Sequence, residues 1–285
     1  DEVLTGLADR TDDKVTGVFN VLERIVKPAR LSDVNETTLG RYQAKLRKDG
    51  RAETTIKGHL AHILAALSWA KSKKLIYEVP DVKMPKRARK SKVMKGRPIT
   101  TEEFERLMGK VASIVAPGNA RIKADRKPAI IRSWRYFLDG LWQSGLRLDE
   151  SMHLHWTDRS KLCIESLDAR HPMLWIPGDL EKGNQDRVLP MAPEFAEFLR
   201  QTPPERRQGY VFNPLPRCNR YGERLSAAHI GRVVSSIGKS ANVKVSETGG
   251  KTKYASAHDL RRSFGERWSS RVMPNVLQEL MRHED

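Results

Sequence analysis

Ser144-Gly145-Leu146-Arg147-Leu148-Asp149-Glu150 sits at a junction between two kinds of pattern. Before it, Ile130 to Ser144 reads as an aromatic-rich helix, with Trp134, Phe137, Leu138, Leu141 and Trp142 as its apolar set. Gly145 ends that helix, and Arg147 stands where the next one begins. A corner of this kind aims a guanidinium into a cleft, and Glu150 can hold the new helix start electrostatically. Alone, the stretch reads better as an ordinary helix–helix corner with a surface arginine. A second stretch changes its weight: His258-Asp259-Leu260-Arg261-Arg262-Ser263-Phe264. His258 and Arg261 are three residues apart, so a helix puts them on one face, while Leu260 and Phe264 point to the core. An imidazole beside a guanidinium suits phosphate: the arginine offers two parallel donors and the histidine a hydrogen bond or a proton.

Between these stretches the apolar period changes. Leu162-Cys163-Ile164, Met173-Leu174-Trp175-Ile176 and Arg187-Val188-Leu189-Pro190-Met191 are short β-prone runs separated by Gly, Pro, Asn and Asp, which predicts a small antiparallel sheet. In Glu181-Lys182-Gly183-Asn184-Gln185-Asp186 the Gly183-Asn184 pair is a hairpin turn signal, with Lys182 at its edge. A hairpin lysine is by itself most often a solubilising charge. Helices are expected again at Pro193 to Arg200, Ala227 to Ala241 and His258 to Ser270. An amphipathic stretch, Leu277-Gln278-Glu279-Leu280-Met281-Arg282-His283, then ends in an exposed histidine. His153 and His155 stand two apart with no third ligand nearby and read as structural, so no metal is expected.

Upstream of the aromatic helix, Thr100 or Thr101 caps a helix whose first turn carries Glu102 and Glu103. Before that cap lies Lys83-Met84-Pro85-Lys86-Arg87-Ala88-Arg89-Lys90-Ser91-Lys92-Val93-Met94-Lys95-Gly96-Arg97. Eight of these fifteen residues are Lys or Arg and none is acidic. Self-repelling charge broken by Pro and Gly reads as an exposed linker, and a DNA backbone supplies the counterions it lacks. Lys83, Lys86, Arg87, Arg89, Lys90, Lys92, Lys95 and Arg97 are therefore candidate DNA contacts. Before the linker the pattern is helical: Val18, Leu22 and Ile25, then Leu39, Tyr42 and Leu46 with Gly50 as a stop, then Ile56, Leu60, Ile63, Leu64 and Leu67. The fold class that results is mainly α with a small antiparallel β-sheet. It divides into a helical domain over 1–82, a basic linker over 83–97 and a mixed α+β domain over 98–285.

The 285 residues are too many for one small domain and suit one large or two ordinary ones. No run of 18 apolar residues exists, so no spanning helix is predicted. Two cysteines, Cys163 and Cys218, cannot make a disulfide framework or a four-cysteine zinc site, and a reducing, cytosolic setting is the default. Lys and Arg total 52 against 35 Asp and Glu, a formal charge of +17, which points to a polyanionic partner and most simply to nucleic acid.

Taken together and in this order, the stretches resemble the tyrosine recombinases, or phage integrase family. That family carries an Arg in a G-L-R-x-x-E box, a Lys in a β-hairpin, an H-x-L-R box, and a His after an L-G-like helix end. Here these match Arg147 in SGLRLDE, Lys182 in EKGNQDRVLPM, His258 and Arg261 in HDLRRSF, and His283 in LMRHED. The resemblance implies that the helical domain is a core-binding domain and the mixed domain catalytic. It also implies site-specific breakage and rejoining of double-stranded DNA through a 3′-phosphotyrosyl bond, with no metal, cofactor or ATP. Arg147 and Arg261 would hold the non-bridging oxygens and Lys182 would protonate the leaving 5′-oxygen. His258 would assist proton transfer with the nucleophile, and His283 would bond a non-bridging oxygen. A homotetramer on DNA is the implied assembly, with which a monomer in free solution is compatible, and the expected setting is cytoplasmic, nucleoid-associated in a prokaryotic host.

Two departures from the pattern stand out. The family's nucleophilic tyrosine follows its last histidine, whereas here Tyr254 is the last tyrosine and precedes the H-x-L-R box. The expectation is a nucleophile outside these residues and a chain that, as given, binds DNA without cutting it. The L-G-H of the family is Met281-Arg282-His283 here. A type IB topoisomerase uses a similar residue set, and a non-catalytic DNA-binding relative would share the fold. Size and the helical front domain favour the recombinase over the first, and the complete Arg-Lys-Arg set favours it over the second.

Overall fold

The computed structural model describes residues 9–85, 96–118, 121–180, 185–218, 224–248 and 250–282. Contacts divide the chain into two compact units, Asp1–Val93 and Met94–Asp285.

The first unit is helical. Helices α1 (Asp9–Val26), α2 (Glu36–Lys48) and α3 (Glu53–Ser72) bury the faces that the three- and four-residue spacing marks out. Val18, Leu22, Leu39, Tyr42, Leu46, Ile56, Leu60, Ile63 and Leu67 form one core. Asn35 caps α2: its Oδ1 accepts from Thr38 N at 3.1 Å, and Thr38 Oγ1 accepts from Asn35 N at 2.9 Å. Gly50 stops the helix at φ +73°, where Arg51 N reaches back to the Leu46 carbonyl at 2.9 Å.

The second unit is mixed. Thr100 caps α4 (Thr101–Val115) in a reciprocal pair with Glu103, and α5 (Arg126–Ser144) carries the aromatic face into the core. Trp134, Phe137, Leu138, Leu141 and Trp142 are buried there with Phe195, Phe198, Phe212 and Phe264. After α6 (Leu148–His153) comes an antiparallel sheet, β1 (Cys163–Ser166), β2 (Met173–Ile176) and β3 (Arg187–Pro190), in the order β1-β2-β3. The β2–β3 register runs from Met173↔Pro190 to Ile176↔Arg187. The Gly183-Asn184 turn expected from the sequence lies outside the described residues. The connection is 177–186, begun by a 3₁₀ turn at Gly178–Leu180 and tied at its base by Gly178 N donating to Asp186 Oδ1 at 2.9 Å. Residues 181–184 lie outside the described residues.

Helices α7 (Pro193–Arg200) and α8 (Ala227–Ser240) follow, then a second hairpin, β4 (Lys244–Thr248) with β5 (Lys251–Tyr254), absent from the sequence-based reading. Helix α9 (Ala257–Ser269) and the short α10 (Pro274–Leu280) end the described fold. The last amphipathic stretch thus starts and stops three residues earlier than predicted, because Pro274 opens the helix and Arg282, at φ +48°, ends it. Among the described residues no helix is long and apolar enough to cross a membrane.

Candidate active site

The α5–α6 corner rests on α9. Gly145 caps α5 at φ +61°, and a Cβ there would lie 2.4 Å from the Phe264 ring, so both its conformation and its contact require glycine. This turns the Gly145 carbonyl toward α9, where Arg261 Nη1 donates to it at 2.5 Å. The second arm of the same fork, Nη2, donates to the Met281 carbonyl.

Arg147 is the N-cap of α6, and Glu150 is its third residue. Glu150 Oε2 accepts from Arg147 N at 2.6 Å and its Oε1 accepts from Arg147 Nη1 at 2.7 Å. One carboxylate thus caps the helix and orients the guanidinium of the capping residue. Arg147 Nη2 then donates to the Arg282 carbonyl at 3.0 Å. The two guanidiniums predicted to bind phosphate are therefore held by consecutive carbonyls, those of Met281 and Arg282. Arg147 is 48% exposed and Arg261 only 3%, so Arg147 forms the accessible wall and Arg261 the floor.

Among the described residues the charge balance of this cluster is positive. Arg282 is buried, and its Nη2 donates to Glu150 Oε2. Three guanidiniums therefore gather about one carboxylate. Burial alone would raise the Glu150 pKa, but Arg282 and Arg147 outweigh it and hold it below the ordinary carboxylate value. Burial first, then Arg147, lowers Arg261 to about 10. Such a cluster gains from an incoming anion, which supplies the negative charge it lacks.

Helix α9 opens on Asp259, which is fully buried. It accepts from Ser256 N at 3.0 Å, Ser256 Oγ at 2.6 Å, Lys253 Nζ at 3.2 Å and Arg262 Nη1 at 2.5 Å. This box fixes the first turn, on which His258 stands exposed. Partial burial, then Arg262, with a smaller push from Arg261, lowers the His258 pKa against the pull of Asp259. The neutral imidazole is thereby favoured at neutral pH, the form that can accept a proton.

The phage integrase family profile matches residues 97–285. The chain belongs to the phage integrase family. It is a tyrosine-type site-specific recombinase, an enzyme of DNA strand breakage and rejoining, as the order of the motifs implied. Across 251 residues it is 25% identical to the tyrosine recombinase XerC of Chlamydia caviae, covering 85% of this chain and 68% of that protein. Its fold is similar to that of a lambda integrase dimer bound to a COC′ core site, with TM-score 0.65, 15% identity, and 98% of this chain and 90% of that one covered. It is similar also to a lambda integrase tetramer bound to a Holliday junction, with TM-score 0.60, 16% identity and coverage of 98% and 73%.

Within this recombinase the structure brings together Arg147 and Arg261 and sets His258 on the same helix as Arg261. Lys182 and His283 lie outside the described residues, as do Lys86, Arg87, Arg89, Lys90, Lys92 and Lys95. Lys83 is exposed. Arg97 is tied into the second unit: Nη2 donates to Glu103 Oε1 at 2.6 Å and to the Lys244 carbonyl at 2.9 Å. His155 is structural, its Nδ1 accepting from Asp158 N at 2.9 Å.

Sequence reasoning missed the part played by Asp259, although Ser256-x-x-Asp259 is a legible capping signal. It also noted Arg282 in place of the family's glycine without a structural reason. The observed φ of +48° gives the reason a glycine suits that place: the helix ends there in the left-handed region.

Proposed function

We propose that Arg147 and Arg261 grip the non-bridging oxygens of the scissile phosphate and stabilise the charge that builds up as phosphorus becomes five-coordinate. The observation that carries this is the convergence of both forks on the 281–282 turn, in a cluster with more cations than anions among the described residues. A tyrosine oxygen bonds to phosphorus while the bond from phosphorus to the 5′-oxygen breaks. Lys182 gives its proton to that oxygen, His258 assists the proton transfer at the nucleophile, and His283 bonds a non-bridging oxygen. The phosphotyrosyl bond keeps the energy of the phosphodiester, so attack by the 5′-hydroxyl of a new strand rejoins DNA without ATP. The helical unit serves as the core-binding domain, the basic linker of 83–97 follows the backbone, and four protomers assemble on two sites. The fold shared with a DNA-bound lambda integrase tetramer supports that assembly.

The test uses the full-length protein and a library of nicked duplexes of random sequence. Wild type is expected to capture a subset as protease-sensitive covalent adducts, while Arg147→Ala binds the captured duplex but forms no adduct. Lys182→Ala is expected to regain activity on a 5′-bridging phosphorothiolate, because sulfur leaves without a proton. Adduct formation by Arg147→Ala at the wild-type rate would remove that residue from the site.

A further inference from the structure

We infer that Arg282 is a positioning residue for Arg147, setting through Glu150 and through its own carbonyl the direction in which Arg147 presents its guanidinium to the phosphate. The inference rests on the reading of Arg147 as a phosphate ligand. Two contacts meet in one residue. The Arg282 side chain, 8% exposed, binds Glu150 Oε2, and the Arg282 carbonyl accepts Arg147 Nη2 at 3.0 Å. The side chain therefore anchors the turn whose carbonyl orients Arg147.

Glu150 makes the arrangement directional. Its Oε1 faces Arg147 Nη1 and its Oε2 is shared between Arg147 N and Arg282. With Arg282 in place the carboxylate is divided between two guanidiniums, so Arg147 keeps a net positive charge toward its exposed side. Without it, Glu150 is left to Arg147 alone, and the turn at 281–282 loses its side-chain tie to α6. The Met281 carbonyl that holds Arg261 belongs to the same turn. A glycine at 282 satisfies the backbone and keeps its carbonyl but lacks the side-chain tie to Glu150, so here an ion pair stands in place of conformational ease.

The experiment measures single-turnover adduct formation by the full-length protein at saturation, on the duplex that wild type captures from the random library. Arg282→Gly is expected to slow adduct formation about 10- to 100-fold, the range for a misplaced catalytic group. Duplex affinity should stay within about threefold, since the lost interaction acts in the transition state. Arg282→Lys, which restores a charge at 282, is expected to recover most of the rate. In a Glu150→Gln background the glycine substitution should add less than about threefold, because the two residues act as one unit. A wild-type rate for Arg282→Gly, or a full multiplicative loss in the Glu150→Gln background, would overturn the inference. So would a loss that follows melting temperature across the variants. If Arg282→Gly does not fold, Arg282→Gln is judged by the same criteria. A wild-type protein that captures no duplex would instead overturn the recombinase reading itself, and this inference with it.

Discussion

Both units carry clustered basic side chains, but in opposite physical states. In the helical unit Lys14, Arg24 and Arg51 stand exposed around a groove of about 630 Å³. Lys45 and Arg47 make surface pairs with Asp49 at 2.8 Å and Glu53 at 2.7 Å. Pairs of this kind contribute little and are screened by salt. In the catalytic unit Arg261 and Arg282 are buried, and with Arg147 they are fixed by carbonyls and one carboxylate. Under the proposed function the difference separates two tasks. Holding a duplex of any sequence needs charge density and tolerates loose side chains. Stabilising one phosphorus as it changes geometry needs donors that are already in place and shielded from water.

The largest expected effect tests the loose charges. If the helical unit and linker neutralise about eight phosphates, the log–log salt slope is about −7, or about four decades of affinity between about 50 and 200 mM salt. Fluorescence anisotropy on a plain duplex measures it. Replacing the Lys and Arg of the linker with Ser should flatten the slope and weaken all sequences alike, whereas Arg261→Lys should leave it unchanged. A slope near zero would abolish the contrast between the units.

The next effect tests the fixed charges. Arg261→Lys keeps the charge but loses the fork that spans the Gly145 and Met281 carbonyls. Losing one such donor costs about 2.7–4 kcal/mol in the barrier, or about two to three decades in rate. Single-turnover cleavage by the full-length protein should show that loss with duplex affinity retained. Equal losses in rate and affinity would mean that Arg261 only helps to hold DNA.

These two classes of charge were not equally legible in the sequence. Helices with one wet face and one dry face announced themselves, since Leu39, Tyr42 and Leu46 or Ile56, Leu60 and Ile63 repeat at helical spacing. The β4–β5 hairpin did not, because its ladder is mostly Lys, Ser, Glu and Thr, with Val245 its buried apolar residue among those described. Its Gly249-Gly250 pair was the missed turn signal. In the site, the places of Arg147 at a helix start and of Glu150 in its first turn followed from the sequence. The ties to residues 281 and 282 did not, because backbone carbonyls leave no mark in a sequence and the pairing of Arg282 with Glu150 spans 132 positions.

A smaller effect sharpens the electrostatic side of the contrast. Glu150→Gln leaves Arg147 and Arg282 without their shared carboxylate and should cost about 2–3 kcal/mol of stability in urea unfolding at neutral pH. Because the folded state holds the Glu150 pKa below its unfolded value, the wild-type advantage is present above about pH 4.3. It is lost as pH falls through the folded value. Wild type and variant should therefore converge on acidification, and a difference independent of pH would assign the loss to packing.

The smallest effect belongs to the polar pair at the edge of the helical core. Tyr42 is fully buried, and burial raises its hydroxyl to about 12, so it stays protonated and bonds His59 Nδ1 at 2.7 Å. The hydroxyl donates to the neutral ring, whose partial exposure lets water reach its other side. Tyr42→Phe removes one hydrogen bond, so the expected cost is about 1 kcal/mol. Burial, then Arg51, His62 and Lys14, lower the His59 pKa. A lowered folded value means that neutral His59 supports the fold above about pH 6.5, and that this support fades as pH falls through the folded value. His59→Gln should flatten that acid limb. Neither variant should change the single-turnover cleavage rate, because nothing in the helical unit is asked to meet the reacting phosphate. A slowed rate with unchanged affinity in Tyr42→Phe would show that the helical unit does more than hold DNA, and the division of labour between loose and fixed charge would fail there.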